Sequence, residues 1–334
     1  MVAVVILNWN GAAHLRRFLP SVIATTRGAD IVVADNGSTD GSVEVLEREF
    51  PTIRRVVLDR NYGFAEGYNR ALAELEEYDV FVLLNSDVEP AEGWLEPLVE
   101  VLERDERVAA VGSKILSLTE RDRFEYAGGA GGYIDYLGYP FCRGRILNAT
   151  ERDEGQYDDC REVFWVSGAA FCCRAEVYRR LGGFCGEFFA HMEEIDLCWR
   201  MQLAGLRVVV EPRSKVWHLG GGTLNVASPQ KSFYNHRNNL AMLFRCATPV
   251  QRAVVAVVRP ILDCAAAVSY LLGGNVAAAK AVARAYRDFL AWHGRLAKER
   301  KKIRGEAVSE SRCVYKGIIP LRYIFGCRKF EKLM

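Results

Sequence analysis

From Val2 to Asp87 the chain alternates short β-branched runs with segments of helical periodicity, and each run stops on polar residues. Val2–Leu7, Ile31–Ala34, Arg55–Leu58 and Val80–Leu84 read as strands buried on both faces, with helices at Ala12–Ala24, Ser42–Phe50 and Gly67–Glu77 between them. Strands joined through helices at this spacing predict an α/β fold with a mostly parallel central sheet flanked by helices. Sheets of this kind take ligands beyond the carboxyl ends of their strands. Here those ends carry Asn8 and Asn10, Asp35 and Asn36, and Asn85 with Ser86 and Asp87. The first strand runs into Asn8-Trp9-Asn10-Gly11, and neither GxGxxG nor GxxxxGK[ST] occurs, which excludes the common dinucleotide and ATP loops.

Past Asp87 the pattern is less regular. Gly128–Gly132 is Gly-rich, Asp153–Glu162 is acidic, and Val163–Val166 and Ala169–Cys173 read as strands flanking Ser167-Gly168. Glu193–Leu203 reads as a helix with Glu193, Glu194 and Asp196 in its first turn. Crowded carboxylates raise one another's pKa and can hold a general base, while acids at a helix start also offset its dipole. Val208–Val210 and Val216–His218 read as strands, and everything beyond Ser232 as helix. His218, ahead of Gly220-Gly221-Gly222, suits a metal ligand, a phosphate contact or a structural histidine. Arg237, within Tyr234–Asn239, suits a diphosphate clamp or a hydrogen-bonded tie between segments.

The formal net charge of +2 hides an uneven distribution: from Val276 onward there are 15 Lys and Arg against 5 Asp and Glu. A basic tail on an acidic body points to an anionic surface. Ala253–Leu272 nearly reaches membrane-span length but carries Arg259, Pro260 and Asp263, which a span tolerates only if they face protein. Ala277–Arg304 reads as one basic amphipathic helix with Val282, Tyr286, Phe289 and Trp292 along one face, the composition of an interfacial membrane element. No nucleic-acid motif or aromatic-basic platform accompanies the charge, so nucleic acid is not expected as a partner. The 10 cysteines include no CxxC pair, and Met1–Leu7 is too short for a signal segment, which suits reduced thiols in a cytoplasmic protein.

In order along the chain, Val4–Gly11, Val33–Ser42, Asn61–Asn69, Leu83–Asp87, Gly182–Phe184, Glu193–Arg200, His218–Gly221 and His236–Asn239 resemble the family 2 glycosyltransferases of the GT-A fold, particularly their rhamnosyltransferase-like branch. The resemblance implies a Rossmann-like GT-A domain over 1–245, with a nucleotide-sugar-binding half at 1–105 and an acceptor-binding, catalytic half at 106–245. Residues 246–334 would be a helical, basic extension attaching the protein peripherally to the inner face of a membrane. It implies an inverting transfer from a nucleoside-diphosphate sugar, dTDP-rhamnose or a UDP-sugar, to a hydroxyl of a polysaccharide or lipid-linked cell-envelope acceptor. Asp35 would read the nucleotide base, and Asn8, Asn10, Asn36, Gly63, Asn69, Asn85, Ser86 and Arg237 would complete the donor site. Asp87 and His218 would hold Mg²⁺ or Mn²⁺. Glu194 would be the base, with Glu193 and Asp196 able to share its role. Two positions depart from the family pattern: Asn85 stands for the first Asp of the metal motif, and Glu194 for the catalytic Asp. Two rivals remain. A nucleotidyltransferase would want a Gly-rich, Lys/Arg-bearing loop after the first strand, which Asn8–Gly11 lacks. A non-catalytic nucleotide-sugar-binding partner of an envelope assembly complex would have little use for Asp87, His218 and three clustered acids.

Overall fold

The computed structural model describes residues 1–220 and 228–333, so Gly221 and Gly222 lie outside the described residues. Its first part alternates as predicted: β1 (Val2–Asn8), α1 (Ala12–Thr25), β2 (Asp30–Asp35), α2 (Ser42–Glu49), β3 (Arg54–Val57), α3 (Gly63–Ala73) and β4 (Val80–Asn85). α3 starts ahead of the expected Gly67 because Asn36 and Asn61 accept the N–H groups of Tyr62 and Gly63 at 3.0 and 2.8 Å. The chain continues through β5 (Val88–Pro90), α4 (Glu96–Arg104), β6 (Val108–Ser117), β7 (Gly132–Asp135), β8 (Pro140–Cys142), β9 (Arg145–Ile146) and β10 (Ala149–Thr150). Next come β11 (Arg161–Glu162), β12 (Ala170–Arg174), α5 (Ala175–Arg180), α6 (Glu193–Leu203) and β13 (Arg207–His218). α7 (Pro229–Cys246), α8 (Pro249–Leu272), α9 (Val276–Ala291), α10 (His293–Gly305), β14 (Val314–Tyr315) and α11 (Ile319–Ile324) complete it.

The central sheet has the order β11-β13-β6-β12-β4-β1-β2-β3, with β5 paired to β13. β4, β1, β2 and β3 run parallel, and β13 runs parallel to β6. β12 is antiparallel to both β4 and β6, so the sheet is parallel on one side of β4 and mixed on the other. β12 starts beside the carboxyl end of β4, with Ala170 opposite Leu84, and therefore has to run back against it. Val4, Val5, Val32, Val33, Phe81, Val82, Leu83 and Leu84 are fully buried, as strands covered on both faces require.

A second sheet has the order β10-β9-β8-β7-β14. Its last strand corrects the expectation of an all-helical C-terminal part: Val314 and Tyr315 pair with Ile134 and Asp135. Phe330 beyond them is buried against Tyr133 and Phe141. Pairing partners so distant along the chain leave no local pattern. Val163–Val166, expected as a strand, forms only a single bridge from Trp165 to Gly132, and the two strands expected at 208–218 are one bulged strand.

The predicted single helix over Ala277–Arg304 is two, broken at Trp292, whose ring lies 4.3 Å beneath the Arg237 guanidinium. Its apolar face packs on protein: the Tyr286 hydroxyl donates to Asp263 at 2.7 Å, and Phe289 meets Phe244. α8 is long and apolar enough to cross a membrane. Its two interrupting charges turn inward, Arg259 donating to the Leu137 carbonyl at 2.9 Å and pairing with buried Asp263 at 3.3 Å. The opposite face exposes Val250, Val254, Val257, Ile261, Val268, Leu271 and Leu272.

α6 is tied to α7 through a buried ion pair. Asp196 is fully buried and accepts from Arg200 at 2.8 Å and pairs with Arg245 at 3.2 Å. Replacing Asp196 with Ala leaves the buried Arg200 guanidinium without its counter-charge and Arg245 with only Glu299, 3.0 Å away. We expect a loss of about 3–5 kcal/mol in unfolding free energy, measured as a fall in the urea midpoint; an unchanged midpoint would contradict this role.

Candidate active site

The parallel register aligns the polar strand ends. Asn8 pairs with Asp35 across β1 and β2, and Leu7 with Asn85 across β1 and β4. Asn8, fully buried, donates to Asp35 at 2.9 Å, and the second Asp35 oxygen accepts from the Ser38 N–H at 2.8 Å. Asn10, at φ 49°, accepts from the Thr39 N–H at 2.7 Å, so the loops after β1 and β2 are laced together. The Asn8 Oδ1 is buried without a partner among the described residues and lies against Gly11, where a Cβ would collide with it.

Other expected donor-site residues have work inside the protein. Asn36 donates to the Gly63 carbonyl at 2.9 Å and accepts from Tyr62, holding the start of α3. Asn69 accepts from the Tyr178 hydroxyl at 2.7 Å and the Phe184 N–H at 2.9 Å. Gly63 sits at φ 77°, and a Cβ there would come within 2.5 Å of the Phe189 ring. Only glycine allows the loop before α6 to approach so closely.

Sheet pairing also brings His218 to Asp87. His218 ends β13 opposite Val88, the residue after Asp87. Its Nε2 lies 3.1 Å from Asp87 and 3.3 Å from the Asn85 amide, while Nδ1 lies 3.2 Å from Glu125. Burial alone would lower the His218 pKa, but bonds to Asp87 and Glu125 outweigh it and raise it to about 10. Burial would raise both acids, yet contact with His218 leaves each below the ordinary carboxylate range. Glu125 carries no local sequence signal; it is a lone acid in an irregular stretch, joined to His218 only by the fold.

Two carboxylates flank the His218 imidazolium, a set of net negative charge on which a divalent cation would take the place of the Nε2 proton. Asp87 and His218 supply an oxygen and a nitrogen, and phosphate oxygens and water complete such shells on Mg²⁺ or Mn²⁺. Glu125 on the far ring nitrogen is the outer partner that orients a ligating histidine. Among the described residues no group of three His, Cys, Asp or Glu side chains forms a closed metal cage.

On the other flank, Ala169 accepts the Asn85 N–H at 3.1 Å, and its neighbour Gly168 presents its Cβ position 4.0 Å from the Glu194 Cβ. Glu194 therefore stands one loop away from Asn85 and Asp87. Glu193 and Glu194 open α6, and each has one buried carboxylate oxygen with no partner among the described residues. Burial raises the Glu194 pKa to about 7, and burial followed by the Glu194 charge lifts Glu193 well above its ordinary value. Asp196 instead spends its charge on Arg200 and Arg245.

The loop feeding α6 is strained. Phe189, His191 and Met192 have φ of 66°, 70° and 72°. α7 holds it there: the Asn238 amide donates to the carbonyls of Phe188, Ala190 and His191 at 3.0, 2.9 and 2.8 Å. Arg237 donates to the carbonyls of Glu187 and Phe188 at 3.0 and 3.1 Å, and to Asn238 at 2.9 Å. The tie that Arg237 offered as an alternative to a diphosphate clamp is thus observed.

Sequence and fold comparisons agree with this architecture. The chain belongs to glycosyl transferase family 2, whose model matches residues 3–182, and lies in its rhamnosyltransferase-like branch. It is 30% identical over 236 residues to the N-acetylglucosaminyl-diphospho-decaprenol L-rhamnosyltransferase of Mycobacterium tuberculosis, covering 65% of this chain and 76% of that protein. It is 32% identical over 241 residues to the pre-mycofactocin glycosyltransferase of the same organism, covering 70% of this chain and 46% of that protein. The fold matches a crystal structure of GalNAc-T7 with UDP, GalNAc and Mn²⁺ at a TM-score of 0.58 and 19% identity, over 73% of this chain and about half (48%) of that one. It matches the mannosyltransferase PcManGT from Pyrobaculum calidifontis, in complex with GDP-Man and Mn²⁺, at 0.52 and 16%, over 91% and 83%. These likenesses establish the GT-A fold.

The raised Glu194 pKa has a consequence for stability. The native carboxyl keeps its proton up to about pH 7, while the unfolded one releases it near its ordinary 4.5. The native state binds more protons in that window, so this group's contribution to stability falls as pH rises through it. Glu194→Gln removes the ionisation. The variant should melt close to the parent at low pH and several degrees above it at pH about 8. Equal melting temperatures at both pH values would show that Glu194 is not raised.

Proposed function

We propose that this glycosyltransferase moves a sugar, with inversion, from dTDP-rhamnose or a UDP-sugar to a hydroxyl of a polysaccharide or lipid-linked cell-envelope acceptor. The observation carrying the proposal is Glu194: a half-buried residue with one buried, unpartnered carboxylate oxygen and a pKa raised to about 7, one loop from Asp87 and His218. A group poised near neutrality can take the acceptor proton as the hydroxyl oxygen attacks the anomeric carbon. Attack from that side, opposite a diphosphate leaving towards Asp87 and His218, inverts the anomeric centre. A divalent cation held by Asp87 and His218 supplies charge neutralisation for the departing nucleoside diphosphate. Asn8, Asn10 and Asp35 hold the nucleotide at the strand ends, with Asn85 and Ser86 beside the diphosphate. Asn36, Gly63 and Asn69 shape the floor beneath it, while Arg237 and Asn238 together keep the Glu187, Phe188, Ala190 and His191 carbonyls, and so Glu194, in position.

The mycobacterial rhamnosyltransferase named above supports an acceptor in which a sugar is joined to a polyprenol through diphosphate. We assign residues 1–245 to transfer and 246–334 to attachment at the cytoplasmic face of the membrane. The surface supporting attachment is not the apolar side of α9, which packs on protein, but the uncharged outer face of α8. Exposed Lys280, Arg284, Arg287, Lys298 and Lys301 follow on α9 and α10 and suit anionic headgroups.

Nucleoside-diphosphate release from a panel of UDP-, dTDP- and GDP-sugars, with Mn²⁺, Mg²⁺ or EDTA, tests the reaction. One donor should turn over with metal, and Glu194→Gln should lower its turnover by about 10²-fold or more while leaving donor affinity unchanged. A Glu194→Gln variant with parental turnover would remove Glu194 from the chemistry, and silence across the panel would favour a non-catalytic binding protein. For attachment, Phe330 and β14 are stitched into the second sheet, so removing the tail would open the fold. The exposed pair Val257→Lys and Ile261→Lys avoids this. It should weaken sedimentation with anionic lipid vesicles by about tenfold or more; undiminished sedimentation would refute the α8 surface.

A further inference from the structure

Arg145, in β9 of the second sheet, is 5% exposed yet pairs with no carboxylate among the described residues. Its guanidinium donates to the Leu147 carbonyl at 3.1 Å and to the Cys142 thiol at 3.2 Å, and its Nε has no acceptor among the described residues. A second cation shares its surroundings. The Arg145 guanidinium lies 4.6 Å from the centre of the Tyr126 ring, and the Lys231 ammonium lies 5.2 Å from the same ring. Lys231 makes no ion pair among the described residues, and the segment 221–227 that precedes α7 contains no Asp or Glu. The nearby acid, Glu125, is already committed to His218 and to the Ala127 N–H. Burying a guanidinium without a counter-charge, beside another cation, is costly unless a ligand supplies the negative charge.

The position of this pair narrows what that ligand is. Tyr126 follows Glu125, which faces His218 and through it Asp87. On the other side Gly128 is pressed against Ser167, where a Cβ would fall 2.6 Å from the serine Cβ, and Ser167 leads to Gly168 beside Glu194. The two cations therefore flank the stretch between the metal-binding pair and the base. Arg145 stands on β9 of the second sheet and Lys231 in the first turn of α7, and neither belongs to the β1, β2 and β4 ends where the nucleotide is expected. His191, two residues before Glu193, also has a buried Nε2 with no partner among the described residues. Burial and then the Lys231 charge push His191 down to about 4, so it adds no competing positive charge.

We infer that Arg145 and Lys231 form a phosphate subsite for the acceptor, gripping the phosphate that links the acceptor sugar to its lipid so that a sugar hydroxyl faces Glu194. This rests on the transferase reading above. A guanidinium offers a two-pronged grip on phosphate oxygens, the ammonium supplies a second charge, and the Tyr126 ring forms the wall between them. The donor diphosphate has the same chemistry and is the other possible source of the phosphate.

Equilibrium binding separates the two without requiring turnover. The probes are a short-chain prenyl-diphospho-N-acetylglucosamine, octyl N-acetylglucosaminide as its phosphate-free counterpart, and UDP and dTDP with Mn²⁺, titrated into the full chain by calorimetry. Lys231→Ala and Lys231→Glu change a half-buried side chain at a helix start and should melt like the parent, while Arg145→Lys keeps the charge but removes the fork. All three should weaken the diphosphate-linked probe by about tenfold or more, with Lys231→Glu weakest, and leave the octyl glycoside and both nucleotides unchanged. Equal losses for both acceptor probes, or no loss for either, would overturn the subsite. Loss of UDP or dTDP binding with the diphosphate-linked acceptor unaffected would assign the cations to the donor and equally overturn it. If the wild type binds the diphosphate-linked probe in this charge-dependent way yet releases no nucleotide from any donor, the subsite stands and the transferase reading fails.

Discussion

Asn238 places one amide on three carbonyls of the loop before α6, and Arg237 beside it shares the Phe188 carbonyl and adds that of Glu187. The site depends on this clamp. Phe189, His191 and Met192 occupy the left-handed region, which side chains other than glycine adopt only when surrounding contacts compel it. The turn they make lets the Phe189 carbonyl accept the N–H groups of Phe64 and Ala65 at 2.6 and 3.1 Å, fastening the start of α3 to the loop before α6. It also starts α6 at Glu193, so that two acids enter a buried crevice while Asp196, further along the turn, reaches Arg200 and Arg245. Three carboxylates in four residues thus have different fates because the helix is held at one angle.

Charge in this molecule is arranged by contact more than by amount. His218 is sandwiched between Asp87 and Glu125 where phosphate oxygens and a cation are expected. Glu193 and Glu194 sit where burial opposes their ionisation, keeping a proton acceptor near neutrality rather than a fully exposed anion. Arg145 and Lys231 share one aromatic ring without a carboxylate of their own.

The same inward turning of charge explains α8. Arg259 and Asp263, which in sequence break an apolar run, satisfy each other and the Leu137 carbonyl in the interior. The outer face is left without charge over most of its length, while the more basic α9 and α10 spend their aromatic side chains on α7 and α8. The end of the chain then returns to the body through β14 and Phe330.

The sequence by itself determined the parallel half of the sheet, the polar strand ends Asn8, Asp35 and Asn85, and α6 with its three acids. Those features rest on local periodicity and on side-chain chemistry, both readable within a short window. It also carried the order of motifs that marks the family. The tertiary structure alone decided that β12 runs antiparallel, that β14 exists, and that Asp196 is an ion-pair partner while Glu194 keeps an unpartnered oxygen and a raised pKa. It alone brought Glu125 to His218, and Arg145 to Lys231. The reason is physical: a residue type sets which bonds a group can make, but burial and distant partners set which ones it does make and what its pKa becomes.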